Sequence, residues 1–213
     1  MSYVINIYRK PKPGNFKAVR DATIASLDAS VAARGGRGFV TGTMSHPMPT
    51  QGSNMIVSTT GGFETADQID EMMDSGNDEV LDRIEAVNAL CDSSSSSISQ
   101  LLPPQSNIPE NFNPKWVMRD MQIAKPGQLP GLIEYLMEWR EQGIDVRNQL
   151  ALTIPLGKMN LNALRLTFMF ESLADMETGW ANIVADPKLP PLLDKLETSP
   201  VRVVSRVLHR VGF

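Results

Sequence analysis

The chain contains one cysteine, Cys91, and two histidines, His46 and His209, in 213 residues. A lone cysteine excludes an internal disulfide and fits a reducing compartment. Two histidines and one cysteine at unrelated spacings assemble no structural metal site, so neither metal nor cofactor is expected. Basic residues are not in excess: 20 Lys and Arg stand against 24 Asp and Glu, for a net charge of −4. The charge footprint of a nucleic-acid binder is therefore missing. No apolar run approaches the roughly 20 residues that cross a bilayer as a helix. Met1-Ser2-Tyr3-Val4-Ile5 enters a strand pattern directly, without a basic or long apolar leader. A cytoplasmic protein with no nucleic-acid and no membrane partner is expected. Glycines match neither a phosphate loop nor a dinucleotide fingerprint, and no G-x-S-x-G elbow occurs. What remains is an ordinary globular composition, 42% apolar and 21% charged.

The organising feature is a pattern used twice. Trp116-Val117-Met118-Arg119-Asp120-Met121-Gln122-Ile123 reads as a strand, followed by Lys125-Pro126-Gly127 and an apolar-striped helix over about 128–142. Earlier, the strand Tyr3–Arg9 leads to Lys12-Pro13-Gly14 and a helix from about Asn15 to Ala33, striped by Phe16, Val19, Thr23, Leu27 and Val31. Strands over 37–45 and 54–60 follow in the first copy, and over 146–154 and 163–170 in the second. The acidic stretch Thr65–Leu90 is helical with a break near Ser75-Gly76-Asn77; its spacing matches no calcium loop and reads as a solvated face. Its counterpart is a helix over 173–185, broken at Asp186-Pro187, and a shorter one around 190–197. The serine run 93–97 starts a fourth strand whose polarity suits a sheet edge. A final strand occupies 201–209, and 103–115 is a proline-rich linker.

These orders predict an α+β fold: two tandem ferredoxin-like βαββαβ units, residues 1–102 and 116–213, joined by the linker 103–115. Each unit makes a four-stranded antiparallel sheet of order 4-1-3-2, with both helices on one face. The two open sheet faces then pack face to face as an intrachain α/β barrel. Further assembly, as a homodimer through helices or edge strands, is left open.

The strand–Lys-Pro-Gly–helix openings at Lys12 and Lys125, with this element order in both halves, resemble the dimeric α/β-barrel superfamily, and NIPSNAP-like proteins within it. Relatives in that superfamily include cofactor-independent monooxygenases of the antibiotic-biosynthesis type and haem-handling enzymes. The resemblance implies a small-molecule ligand, a first-strand arginine for which Arg119 stands, and, by the haem-handling branch, His209 as an axial ligand. For an oxygenase it implies a cavity with a few polar groups that hold and deprotonate an aromatic or polyketide-like substrate.

Strand alternation proposes the ligand-facing groups. Leu164, Leu166, Phe168 and Phe170 claim the helix-packing face, which leaves Arg165 and Thr167 to the other; Arg119 shares that side on the neighbouring strand. Arg147 and Gln149 oppose Leu150 and Leu152 in the same way, and Asp120 falls on the wrong parity unless a bulge intervenes. The first copy offers Asn6, Tyr8, Ser58 and Thr60, a neutral wall. Two partly desolvated arginines need ordered water or a counter-charge. A carboxylate or phosphate ligand would supply it, as would a carboxylate of the other half. The expected site is thus Arg119, Arg165, Arg147, Gln149, Asn6 and Tyr8, binding a small and possibly anionic organic ligand. No histidine falls mid-strand to serve as a general base, so a binding protein is preferred and the monooxygenase is the alternative.

Overall fold

The computed structural model of the chain describes residues 2–45, 54–76, 78–103, 111–142, 150–157 and 161–212. The first unit contains β1 (Ser2–Pro11), α1 (Phe16–Arg34), β2 (Arg37–Ser45), β3 (Ile56–Phe63), α2 (Asp67–Asp74), α3 (Asp78–Ala89) and β4 (Cys91–Leu101). The second contains β5 (Trp116–Ile123), α4 (Leu129–Gln142), β6 (Ala151–Pro155), β7 (Ala163–Phe170), α5 (Leu173–Ala185) and α6 (Leu189–Leu193), and β8 (Val201–Val211) ends the chain. By compactness the chain divides into Met1–Leu101 with Ser205–Phe213, and Leu102–Val204, so the cut falls inside β8. The hydrogen-bonded strand order, β1-β3-β2-β8-β5-β7-β6-β4, closes on itself as an eight-stranded barrel. Within it, β4-β1-β3-β2 and β8-β5-β7-β6 each keep the 4-1-3-2 order. Closure leaves β4 with a neighbour on both sides, so it is not an edge, although Ser93–Ser96 are exposed.

The repeated tripeptide has a structural job, and it is the same in both units. Proline at the second position and glycine at the third build a turn whose third residue needs positive φ. Gly14 has φ 85° and Gly127 has φ 74°. The turns are closed by Asn15 N donating to Lys12 O at 3.0 Å and Gln128 N to Lys125 O at 2.9 Å. Each lysine then ties the turn to the end of the later helices. Lys12 Nζ donates to Ala89 O at 2.8 Å, and Lys125 Nζ to Asp194 O at 2.7 Å. A cation on terminal helix carbonyls satisfies orphan acceptors and opposes the helix dipole. The motif anchors the fold.

The second crossover of each unit also starts alike. Ser172 Oγ accepts from Asp175 N at 3.0 Å, a hydroxyl cap on α5. At α2 the equivalent is Thr65, which accepts from Gln68 N at 3.4 Å while Gln68 Oε1 accepts from Glu64 N at 2.6 Å, a reciprocal capping arrangement.

The cores of the units differ. In the second unit one continuous cluster runs from Met118 through Leu132, Leu136, Trp139, Leu152, Leu164, Leu166, Phe168 and Phe170 to Ile183, all buried. In the first unit the apolar residues fall into two separate clusters. One joins Val19, Leu27, Val31, Val40 and Ile56 to Val87 and Cys91; the other joins Ile5 and Phe63 to Ile69.

Candidate functional site

A cavity of about 100 Å³ lies between the two apolar clusters of the first unit, on the side of the sheet covered by α1 and α2. Its floor is Ile5, Ile7 and Arg9 of β1 with Ser58 and Thr60 of β3. Its roof is Thr23, Ser26, Leu27 and Ser30 of α1 with Met72 of α2. The antiparallel register explains the floor: Ile5 is opposite Thr60, Ile7 opposite Ser58 and Arg9 opposite Ile56, and residues directly opposite share a face. Ser26 is exposed, so the cavity reaches the surface beside α1. An apolar body with a few convergent polar groups is the usual make-up of a small-molecule site. The volume is near that of cavities that admit a single aromatic ring.

Arg9 dominates the electrostatics. It is only 3% exposed. Its Nη1 donates to Thr23 Oγ1 at 3.1 Å, and its Nε has no partner among the described residues. Burial pulls its pKa down from the ordinary arginine value, and the Cys91 thiol opposes that shift. Among the described residues no carboxylate acts on it. A buried cation left with one neutral hydroxyl as partner is costly, because the interior cannot replace its lost hydration. Cys91 itself is buried, donates its thiol to Val87 O at 3.3 Å, and is pushed up in pKa by burial, with Arg9 and Lys12 opposing that rise. Such a thiol is protonated and unreactive at neutral pH.

At the places equivalent to the cavity lining, the described residues of the second unit are larger and mostly apolar. Aligning the two Lys-Pro-Gly turns sets Arg9 beside Gln122, Thr23 beside Leu136 and Ser26 beside Trp139. The strand registers set Ser58 beside Leu166 and Thr60 beside Phe168, since Asp120 is opposite Leu166 and Met118 opposite Phe168. Leu136, Trp139, Leu166 and Phe168 are all fully buried. Large apolar side chains fill in one unit what small hydroxyl side chains leave open in the other.

The residues singled out by alternation fall as follows. Arg119 and Arg165 are both buried on the sheet face turned away from the helices of the second unit. Arg119 is opposite Thr167 and Arg165 opposite Met121, so the two arginines are diagonal neighbours on adjacent strands. Thr153 pairs with Arg165 on the same face. Arg147 and Gln149 lie outside the described residues, as does His46. Asn6 and Tyr8 share a face with Thr59 and Val57, and Thr59 Oγ1 donates to Asn6 Oδ1 at 2.9 Å. Ser58 and Thr60 do not join them; they take the helix-covered face with Arg9. Asp120 needs no bulge: β5 and β7 run in unbroken register from Trp116–Phe170 to Ile123–Ala163, and Asp120 faces the helices. There Arg202 meets it with a two-pronged bond, Nε to Oδ1 at 2.8 Å and Nη2 to Oδ2 at 2.7 Å, and stacks 3.5 Å from the Trp180 ring centroid. His209 is held by Asp28, Nε2 to Oδ1 at 2.7 Å. Among the described residues no group of three or more His, Cys, Asp or Glu is placed to hold a metal ion. No described helix is long and apolar enough to cross a membrane.

Arg9 was missed by alternation across the second copy, although the signal was present. It shares parity with Ile5 and Ile7 on a strand, and Thr23 interrupts the apolar stripe of the facing helix. A charged residue and a hydroxyl on two facing core stripes mark a polar interior.

No family model matches the chain, and no curated protein matches it. Among solved structures, an anthrone oxidase-like protein is similar at 10% identity and a TM-score of 0.71, over 99% of this chain and 92% of the other. A protein of Fusobacterium nucleatum, a monooxygenase by provisional assignment, is similar at 11% identity and a TM-score of 0.69, over 98% of this chain and 94% of the other. A third, from Lactobacillus acidophilus with the same provisional assignment, is similar at 10% identity and a TM-score of 0.62, over 99% and 94%. At these identities the likeness is one of fold: a ferredoxin-like α+β barrel built from two units.

Proposed function

We propose that the protein is a cofactor-independent monooxygenase that acts on an aromatic or polyketide-like substrate, one ring of which enters the cavity of the first unit. The observation that carries this reading is the cavity, an apolar slot with one buried guanidinium and a ring of hydroxyls. The names of the structural neighbours, anthrone oxidase-like protein and monooxygenase, support the reaction class. The chemistry suits such a slot. An anthrone-type methylene, set across the central ring from the carbonyl and conjugated to it through the flanking arenes, gives its proton to water at the open side to leave a delocalised enolate, and the enolate is electron-rich enough to reduce dioxygen. Overall the methylene loses both hydrogens, one oxygen atom becomes a new carbonyl, and the other leaves as water. The chain's contribution is to bind the flat body against Ile5, Ile7 and Leu27 and to stabilise the oxyanion with Arg9, itself oriented by Thr23.

Oxygen uptake with a panel of hydroxyanthrones and hydroquinones, run without added metal or flavin, tests the reading. Uptake above the uncatalysed rate, abolished when Ser58→Leu and Thr60→Phe fill the cavity as in the second unit, is the expected result. Uptake that is no faster than without protein, or that the filled variant retains, overturns it. A ligand-binding role without turnover is the second reading. It is favoured by the absence of a carboxylate or imidazole among the described cavity-lining residues. The NIPSNAP-like likeness belongs to that reading and rests on the Lys-Pro-Gly turns and the element order alone.

A further inference from the structure

We infer that the molecule taken by the first-unit cavity is an organic acid whose own ionised oxygen pairs with Arg9, so that the acidity used in the reaction is the substrate's and not the protein's. This rests on the reading that the cavity is the substrate site. Arg9 is the one ionisable side chain among the lining residues; the rest are apolar or hydroxyl-bearing. A general base must lie within hydrogen-bond reach of the proton it takes. Thr23, Ser58 and Thr60 are hydroxyls, which are poor proton acceptors at neutral pH. A substrate bound here therefore arrives as an anion or gives its proton to water at the open side near Ser26.

Arg9 meets the other half of that requirement. Its guanidinium stays charged at neutral pH, is buried, and has an Nε with no partner among the described residues. By contrast the buried Asp120 is answered within the protein by Arg202. At Arg9 the only hydrogen-bond partner among the described residues is a neutral hydroxyl that can accept but brings no charge. A planar oxyanion, whether carboxylate, phenolate or enolate, fits a guanidinium fork. Ile5, Ile7 and Leu27 then favour a flat apolar body behind it. Neutral aromatics fill the same space and leave the cation unanswered, which sets the direction of selectivity.

Two measurements test this. Titration calorimetry with benzoate and with benzamide, which match in shape and differ in charge, should show benzoate binding tighter by about tenfold to a hundredfold, the range of a charge-assisted hydrogen bond. Arg9→Gln should erase that preference and Arg9→Lys should keep part of it. Benzoate should also raise the melting temperature of the parent chain and not that of Arg9→Met, which reports on the variant's folding at the same time. Second, for the oxygen-consuming substrates the acidic limb of the kcat/KM profile should move with the substrate's own pKa across a ring-substituted series. Equal affinity for benzoate and benzamide, an unchanged preference in Arg9→Gln, or an inflection that stays fixed across the series overturns the inference alone. If neither aromatic binds, the cavity reading falls and this inference with it.

Discussion

The two units share strand order, turn chemistry and helix caps, yet one buries a continuous apolar core and the other keeps an open slot with hydroxyls and a guanidinium in the same place. In the second unit Leu136, Trp139, Leu166 and Phe168 meet between sheet and helices; in the first, Thr23, Ser26, Ser58 and Thr60 leave the space open around Arg9. Under the proposed function, the difference separates what holds the fold from what the fold is used for. Apolar burial in the second unit contributes stability at about 25 cal/mol per Å² removed from water. The first unit gives up part of that contribution and keeps a buried cation in its place, and strain or unsatisfied polarity of this kind concentrates at functional sites.

The largest expected contrast follows from that comparison. Phe168→Ala should cost about 3–5 kcal/mol, because it empties a fully buried aromatic from a packed core. Thr60→Ala, at the equivalent place in the first unit, should cost less than about 1 kcal/mol, because it enlarges a space already open. Urea unfolding of both variants measures the pair; equal losses would mean that the two interiors are packed alike.

A middle-sized effect belongs to the ion pair that is confined to the second unit. Asp120 is buried and Arg202 is about one-third exposed. Asp120→Asn should therefore cost about 2–3 kcal/mol, short of the 3–5 kcal/mol of a fully buried pair because solvent partly screens the orphaned Arg202. The equivalent position in the first unit, Ile7, has no such partner to lose, so Ile7→Val should cost only about 0.5–1.5 kcal/mol. Chemical denaturation of the two variants gives the comparison.

The smallest effect should come from the helix caps. Ser172→Ala removes a 3.0 Å cap and should cost about 1 kcal/mol; Thr65→Ala removes a longer 3.4 Å bond within a reciprocal arrangement and should cost no more than that. A clearly larger loss at Thr65 would show that the first unit depends more on its helix start than its geometry indicates.

Much of the architecture was legible in the sequence because period and punctuation agreed. The Lys-Pro-Gly turns, the helical stripe from Phe16 to Val31 and the alternation over Leu164–Phe170 each point to one element, and the observed bounds differ from those read from the sequence by a few residues at most where both can be compared. The candidate site was less legible, for two physical reasons. A cavity consists of missing side-chain volume, and a serine or threonine on a strand does not announce what faces it across the sheet. The first unit's register also carries an irregularity between Tyr3 and Ile5 opposite Phe63 and Thr60, where Gly62 has φ 93°. Ser58 and Thr60 pair with Ile7 and Ile5, so pairing puts them on the helix-covered face and not with Asn6 and Tyr8. Asp120 misled for the opposite reason: the strand is regular, and the charge sits on the helix face because Arg202 answers it there.

The central claim is that ligand enters the first unit's helix-covered cavity and not the equivalent place in the second. Methyl NMR of the intact chain during titration with 2-hydroxybenzoate tests it most directly. The account predicts shifts at the methyl groups of Ile5, Ile7 and Leu27, saturating together with a single affinity, while Leu136 and Leu166 stay fixed. Shifts at Leu136 and Leu166, or no saturable shift at Ile5, Ile7 and Leu27, would contradict it.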